Sequence, residues 1–309
     1  MNAVMDVVAP SSVLKKELRE FVAAGSTEVT PHDEAKLAEF AREIPAGYRV
    51  YVAHTPKASL DDVVRVALKL KALGLAPSPH IVARRVPDLE TLRRALDALV
   101  AHDVRQILLI AGDRPQADGP FSDTLQLLET RVTVDAGIAR IGVAGHPEGH
   151  PAVADDVLWQ ALARKQAFGE TTGTQMHVAT QFGFDSRSLS AWEQGLAARG
   201  LSLPIHAGVA GPTPFHKLLK YALHCGVGAS LKAVSGNPLS FNRLPHLVTK
   251  ADEMVTGVLR AKQGNPVSRI FAPHFFAFGG VCETARWLRR VVEGSFELDA
   301  AERGFTINH

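Results

Sequence analysis

The chain has 309 residues, of which 46% are hydrophobic and 21% are charged, the balance of a globular protein with a large core. Lysine and arginine total 34 against 32 acidic residues, so the net charge is only +2. This balance excludes a general electrostatic surface for nucleic acids or anionic membranes. We therefore expect no nucleic-acid partner and no membrane association.

Short runs rich in β-branched residues recur eight times, and each is followed by turn residues and a longer segment. The predicted strands cover residues 25–29, 48–54, 78–84, 106–113, 140–146, 176–182, 203–209 and 268–276. Apolar residues spaced three or four apart predict helices over 59–74, 88–103, 121–130, 155–169, 186–200, 213–226, 245–264 and 282–294. The segment 59–74 is typical, because Ser59 can cap it and Gly74 can end it.

Strands that alternate with helices predict parallel βαβ units. Eight units without a linker favour one closed (β/α)8 TIM barrel, a fold of about 250 residues, over an open doubly wound sheet. No G-x-G-x-x-G follows a predicted strand and no P-loop is present, which weakens the open-sheet alternative. We expect a single α/β domain over residues 1–309, with an extra N-terminal helix in residues 1–24 and a long insertion at 228–244.

The cysteine content and the N-terminus bear on the compartment. Cys225 and Cys282 are too few for a disulfide framework or a cysteine-based zinc site, and we interpret both as buried small hydrophobes. The first 21 residues lack the basic and apolar regions of a signal peptide, and no stretch reaches about 20 uncharged apolar residues. These features predict a cytoplasmic protein.

Polar side chains gather at the predicted C-terminal ends of the strands, which form the functional face of such a barrel. They are Glu28, His54, His80, Asp113, His146, Gln181 and His274. A single histidine is more often a hydrogen-bonded structural residue than a catalyst. A carboxylate at a barrel mouth, however, is costly without water, a partner or a ligand, so Glu28 and Asp113 are stronger functional candidates.

Other chemistries lack their motifs. A metal-dependent hydrolase would need histidines in metal-binding spacing, but H-x-H on the first strand and H-E-x-x-H are absent. His146 and His150 are four residues apart in a proline-containing loop, where helical spacing does not apply. No G-x-S-x-G elbow is present either. We predict no metal and a site that positions an organic cofactor or substrate.

Five segments, taken in order, resemble motifs of the methylenetetrahydrofolate reductase family over about residues 25 to 280. "STEVTP" (26–31) resembles E-F-F-P-P, "AGD" (111–113) resembles R-G-D, and "HPEGHP" (146–151) resembles Y-P-E-x-H-P. "ATQFGFD" (179–185) resembles I-T-Q-F-F-F-D, and the segment from Ala207 resembles P-G-I-x-P-x-x-x-F with Phe215 at the aromatic position. The family fold is a (β/α)8 barrel, which agrees with the strand count.

The resemblance implies an activity in one-carbon metabolism and the site that performs it. Methylenetetrahydrofolate would be reduced to methyltetrahydrofolate, with FAD carrying hydride from NADH or NADPH in a ping-pong arrangement. Glu28 would be the general acid, Asp113 would bond the pterin and tune the flavin, Gln181 would bond folate, and Phe215 would stack on the ligand. The implied FAD positions are His80, Ala111, Gly112, Ser122, Asp123, Gly145, His146, His150 and Lys165.

Several of these residues have structural alternatives. Phe215 could be a core aromatic of its helix, and Lys165 could be a solvated helix charge. Ser122 and Asp123 could simply cap the fourth helix.

The sequence also departs from the family pattern. Ala111 replaces an arginine, His146 replaces a tyrosine, and "HFFAFGG" (274–280) lacks the family's Asn-Arg pair. These departures keep two alternatives open: a flavin-independent folate-binding barrel acting in methyl transfer or demethylation, and a catalytically silent binding or assembly protein. The sequence leaves the direction of the reaction, the choice of nicotinamide cofactor and the question of a homo-oligomer undecided.

Overall fold

Eight parallel strands close into one barrel in the order β1 to β8. The computed structural model describes residues 10–213 and 251–308. Each strand pairs in parallel with the next, and β8 pairs with β1 through Ser26 and His274. The strands are β1 Ser26–Val29, β2 Arg49–Val52, β3 Ala76–Val82, β4 Gln106–Ile110, β5 Arg140–Gly145, β6 Gln175–Gly183, β7 Ile205–Ala210 and β8 Ile270–Phe276. The predicted (β/α)8 barrel is confirmed.

Helices surround this barrel. In chain order they are α1 Pro10–Ala23, α2 Leu37–Glu43, α3 Leu60–Ala72, α4 Leu89–Ala101, α5 Thr124–Glu129, α6 Val132–Asp135, α7 Asp155–Thr172, α8 Ser186–Ala198, α9 Ala251–Gln263 and α10 Val281–Glu293. Short 3-10 helices cover Pro31–Lys36 and Ala83–Arg85. The extra N-terminal helix is confirmed as α1, which packs against α10, α9 and β8.

Side-chain caps explain where several helices begin. Ser59 Oγ accepts a hydrogen bond from the backbone N–H of Asp62 at 3.1 Å, and the Asp62 carboxylate accepts one from the N–H of Ser59 at 2.9 Å. This capping box starts α3 as the sequence predicts. Asp88 and Asp185 cap α4 and α8 without a reciprocal bond, each carboxylate accepting from one backbone N–H.

The barrel has an apolar outer layer and a polar interior. The outer faces of the strands pack on the helices through fully buried residues such as Val50, Ile81 and Ile107. A smaller apolar group, Tyr51, Leu108 and Ala179, lies apart from that layer. Polar side chains fill much of the remaining interior and are described with the site.

Some elements were not predicted. The 3-10 helix and α2 fill the connection after β1, and α6 follows α5. After α10, strands β9 Phe296–Leu298 and β10 Phe305–Ile307 form an antiparallel hairpin, and the Phe296 and Phe305 rings lie 4.5 Å apart. Three-residue strands are too short for periodicity to identify.

Part of the sequence prediction lies outside the described residues. This part comprises Phe215, Cys225, the insertion at 228–244, nearly all of the helix predicted over 213–226, and the first residues of that over 245–264. Cys282, the other cysteine, is buried at the start of α10, as predicted.

Candidate active site

The C-terminal ends of the strands form one mouth of the barrel, where most of the sequence-predicted residues lie. Glu28 is on β1 and Gln181 is on β6, whereas His146 follows β5 by one residue. A small cavity lies beside Gln181, at the ends of β5, β6 and β7. Its lining includes Pro147, Glu148, Gln181, Phe182, Gly208 and Met254.

Glu28 is a half-buried carboxylic acid at this mouth. It is the ladder partner of Tyr51 on β2, and because paired residues of neighbouring strands share a face, both side chains point into the barrel. Burial raises the pKa of Glu28 to about 7; the charge of Asp33 adds to this increase, and a backbone hydrogen bond with Ala277 opposes it. Near neutral pH a large fraction of Glu28 therefore holds a proton, as a general acid must.

Asp113 does not end the fourth strand as predicted, because β4 ends at Ile110. Gly112 has a φ of 91°, a left-handed conformation that leaves the β region. A Cβ at Gly112 would lie 2.4 Å from Val82 Cγ1, so only glycine lets this turn pack on β3. Asp113 is consequently exposed in the loop after β4, where its charge acts on Arg85.

Ala111 stands at the position of the family arginine, and the neighbouring arginines have other partners. Arg84 donates from Nε to the carbonyl oxygen of Ser122 at 2.7 Å and from Nη1 to that of Arg114 at 3.0 Å. Arg114 forms an ion pair with Asp118. Both guanidinium groups thus hold the loop after β4 together.

Lys165 is a buried lysine on α7, with only 8% of its surface exposed. Burial lowers its pKa to about 8, although the charge of Asp123 acts in the opposite direction. The pKa of His146 is lowered to about 4 by burial and by the charges of His150 and Lys165. The His146 and His150 rings meet edge to face with centroids 5.1 Å apart.

Lys165, Asp123, His146 and His150 therefore form one electrostatically connected group, which we call the lysine cluster. The alternative that Lys165 is a solvated helix charge is wrong, because its side chain is buried. A buried ammonium group is costly unless it has an anionic partner, so this cluster suits a negatively charged ligand group.

Ser122 and Asp123 act at the start of α5. The Asp123 carboxylate accepts hydrogen bonds from the backbone N–H groups of Leu125 and Gln126 at 2.7 and 3.0 Å. The backbone N–H and the hydroxyl of Ser122 donate to Gln126 Oε1 at 2.7 and 3.1 Å. The helix-capping alternative for this pair is confirmed.

Gly145 ends β5 against the helical layer. A Cβ there would lie 2.4 Å from Val178 Cγ1 and 2.9 Å from the Trp192 ring, so glycine allows α8 to pack closely on the barrel wall. Its predicted contact with a cofactor remains a prediction.

Gln181 lies at an irregularity in β6, between Ala179 and Phe182. The Thr180 hydroxyl accepts a hydrogen bond from Gly208 N–H at 2.8 Å and donates one to the Gln181 carbonyl at 2.9 Å. The Thr180 side chain therefore replaces backbone hydrogen bonds between β6 and β7 that the bulge disrupts. Bulges redirect side chains near functional sites, and here Gln181 lines the cavity.

Below the mouth, the barrel contains a polar network whose central members the sequence analysis missed. Tyr51 Oη and His177 Nε2 are 2.9 Å apart, and the His177 and His206 ring centroids are 4.8 Å apart. Arg49 Nη1 lies 3.5 Å from His206 Nδ1. A detectable signal was present, because His206 interrupts an otherwise apolar strand and His177 lies between the apolar residues Met176 and Val178.

His80 and His274 join this network. Ser26 Oγ and His274 Nδ1 are 2.9 Å apart, and the Tyr51 ring meets the His80 and His274 rings edge to face. We call Ser26, Arg49, Tyr51, His80, His177, His206 and His274 the barrel network. Burial lowers the pKa of its imidazoles, to about 3 for His80, His177 and His274 and to about 2 for His206, so all four are neutral at pH 7.

The described ranges, 10–213 and 251–308, contain neither a metal-binding cluster nor a membrane-spanning helix. No three or more His, Cys, Asp and Glu side chains there are arranged to hold a metal ion. No helix in those ranges is both long and apolar enough to cross a membrane.

A family model described as methylenetetrahydrofolate reductase matches residues 36–231, more than half of the chain. The chain belongs to this family. The methylenetetrahydrofolate reductase family indicates a folate-related reductase activity with a folate substrate. The match spans Asp113, Gln181 and the lysine cluster, whereas Glu28 precedes it.

Solved structures similar to this methylenetetrahydrofolate reductase family member include two dihydropteroate synthases. That of Xanthomonas albilineans, solved with 4-aminobenzoic acid, is 17% identical with a TM-score of 0.45, covering 85% of this chain and 89% of that chain. That of Thermus thermophilus is 13% identical with a TM-score of 0.45, covering 85% and 90%. The carboxyl transferase domain of Rhizobium etli pyruvate carboxylase, solved with 3-hydroxypyruvate, is 11% identical with a TM-score of 0.45, covering 96% and 52%.

Proposed function

We propose that the protein interconverts 5,10-methylenetetrahydrofolate and 5-methyltetrahydrofolate, with hydride passing through FAD from or to NADH or NADPH. The observation that carries this proposal is the half-buried Glu28 at the barrel mouth, whose pKa of about 7 suits a general acid. Family membership supports the folate substrate and the reductase chemistry.

In this proposal Glu28 gives its proton to the folate nitrogen as the bridging ring opens to an iminium ion, the hydride acceptor. In the opposite direction the Glu28 carboxylate takes the proton back. Gln181, which lines the cavity, bonds the folate, and Asp113 bonds the pterin from the loop after β4. Phe215 is proposed to stack on the bound ligand.

The lysine cluster fits the pyrophosphate of a dinucleotide, because the buried Lys165 ammonium group suits an anionic ligand. We propose that this cluster, with Gly112 and Gly145 as sites of close backbone approach, holds FAD. When bound, FAD supplies a two-electron carrier between nicotinamide and folate.

A second candidate function retains the folate site without a flavin. It is favoured by Ala111, by the engagement of Arg84 with backbone carbonyls, and by the capping roles of Ser122 and Asp123. Hydride would then pass directly between nicotinamide and folate, or the methyl group would pass to an acceptor.

The visible spectrum of the purified protein separates these candidates. We expect flavin bands, at once or after incubation with FAD, and their bleaching when 5-methyltetrahydrofolate is added without oxygen. Folate turnover in the absence of any flavin band would replace the first candidate by the second.

Replacing Glu28 tests the proposed acid. We expect Glu28→Gln to abolish folate turnover, a loss of about 100-fold or more, because the amide cannot donate the carboxyl proton. Reduction of the flavin by nicotinamide is expected to persist. Glu129→Gln, which changes an exposed glutamate paired with Arg164, is the control. Equal loss of both half-reactions in Glu28→Gln would contradict the assignment.

A further inference from the structure

Asp33 is a buried acid next to the end of β1. Only 7% of its surface is exposed. Its carboxylate accepts hydrogen bonds from the backbone N–H of Thr30 at 2.9 Å and from the Thr30 hydroxyl at 2.7 Å. Thr30 directly follows β1, so these bonds hold the Asp33 carboxylate beside the strand end that carries Glu28.

The titratable groups near Glu28 on the neighbouring strands β2 and β8 are neutral near pH 7. Tyr51 on β2 keeps its phenol proton, because burial raises its pKa to about 12. His274 on β8 pairs with Ser26, two residues before Glu28, and it is an unprotonated imidazole within hydrogen-bond distance of the Ser26 hydroxyl. The backbone of Ala277 forms a hydrogen bond with the Glu28 carboxylate. Within the described ranges, the charge that acts on Glu28 is that of Asp33.

We propose that Asp33 is a positioning residue for the acid Glu28: its carboxylate, held by Thr30 beside the end of β1, adds to the burial that keeps the proton on Glu28 between turnovers. This inference rests on the proposed function for its consequence in catalysis. The electrostatic pairing itself can be measured without a substrate.

The physical reason is the repulsion between two carboxylates in a poorly solvated place. A negative charge disfavours ionisation of a neighbouring acid, and burial of Asp33 limits the screening of that charge by water. The hydrogen bond with Ala277 acts the other way, because it stabilises the ionised form of Glu28. Burial of Glu28 is the main cause of its raised pKa, and Asp33 adds to it and partly offsets the bond with Ala277.

The chain offers a matched control in the next βα unit. The Asp62 carboxylate accepts hydrogen bonds from the N–H and hydroxyl of Ser59 at 2.9 and 2.8 Å, nearly the same arrangement as Asp33 with Thr30. Asp62 is on α3, and 32% of its side chain is exposed. Asp62→Asn therefore removes a charge from the same motif at a site that does not act on Glu28.

The direct test is an infrared titration of the protonated Glu28 carboxyl band, identified by its absence in Glu28→Gln. We expect Asp33→Asn to lower the midpoint by roughly 0.5 to 1 pH unit, a three- to tenfold change in the acid dissociation constant. Asp62→Asn is expected to leave it unchanged. Asp33→Ser is a second variant that removes the charge, and its shorter hydroxyl can still accept a hydrogen bond. An unchanged midpoint in both Asp33 variants overturns the proposal.

The consequence for catalysis is a pH-dependent loss. We expect folate turnover by Asp33→Asn to fall three- to tenfold at pH 7.5 and to recover at lower pH, as a purely structural defect would not. Loss that persists at every pH overturns the positioning role. A shifted Glu28 midpoint in a protein without folate turnover supports the pairing and overturns the proposed function, so the two failures are distinguishable.

Discussion

Burial decides the chemistry of single side chains at this barrel mouth. It raises the pKa of the Glu28 carboxyl to about 7 and lowers the pKa of the Lys165 ammonium to about 8. The same physical cause acts in opposite directions because desolvation disfavours the charged form of each group. The pKa values of both side chains therefore lie close to neutral pH, where binding of a charged ligand can change the protonation of either group.

At this scale we predict that Lys165→Met weakens dinucleotide binding. Methionine fills a similar volume but removes the ammonium group, so the dissociation constant of FAD is expected to rise roughly ten- to hundredfold. Titration by flavin fluorescence measures it, with NADH and NADPH titrated in parallel. Arg164→Met, which changes the adjacent exposed residue of α7, is the control. Equal affinities in both variants would show that the lysine cluster does not bind the dinucleotide.

At the scale of elements, the irregularity in β6 links the barrel wall to the site. Opposite the bulge, a Cβ at Gly208 would lie only 2.4 Å from the Gln181 carbonyl oxygen. Strand β7 can therefore approach the bulge only with glycine at this position. The close approach also sets where Gln181 enters the cavity.

We predict that Gly208→Ala lowers the free energy of unfolding by roughly 1 to 3 kcal/mol, the usual cost of overpacking a core. Urea denaturation measures this change, and weaker folate binding is expected to accompany it because Gln181 must move. Gly183→Ala on β6 is the control, since its Cβ would meet no atom closer than 3.6 Å. Equal stability of the two variants would contradict the steric argument.

At the scale of the whole molecule, the barrel network makes the fold sensitive to acid. Its four imidazoles remain neutral in the folded protein down to pH 3 or below. In the unfolded chain each would take up a proton below its ordinary pKa of about 6.5. Glu28 acts in the opposite direction, because its raised pKa contributes stability below about pH 4.5 that is lost as the pH rises through about 7.

We predict that the free energy of unfolding falls as the pH decreases from about 6.5 toward 3. The unfolded chain binds more protons there, and each imidazole contributes up to ~1.4 kcal/mol per pH unit. Urea midpoints at several pH values measure the slope. His177→Gln is expected to reduce this slope by the contribution of one proton. His102→Gln, at an exposed histidine, is expected to leave the slope unchanged. Equal slopes for both variants would contradict this account.

The sequence was most informative where a physical signal is local. Ser59 predicted the start of α3, and alternating strands and helices predicted the barrel. Asp113 shows the limit: apolar residues and an acid predicted a strand to residue 113, but the turn at Gly112 depends on its fit against Val82. That contact joins the turn after β4 to the end of β3, residues that are far apart in the sequence, so no local pattern indicates it.

The sequence by itself determined the parallel barrel, its N-terminal helix and the family motifs, because strand and helix periodicities and short motifs depend on neighbouring residues. Only the tertiary structure decided which ionisable groups lose water. It buried Lys165, buried Asp33 at the end of β1 where its charge acts on Glu28, and joined four histidines from different strands into one network. Desolvation and Coulomb interactions depend on distances across the fold, which the order of residues along the chain does not express.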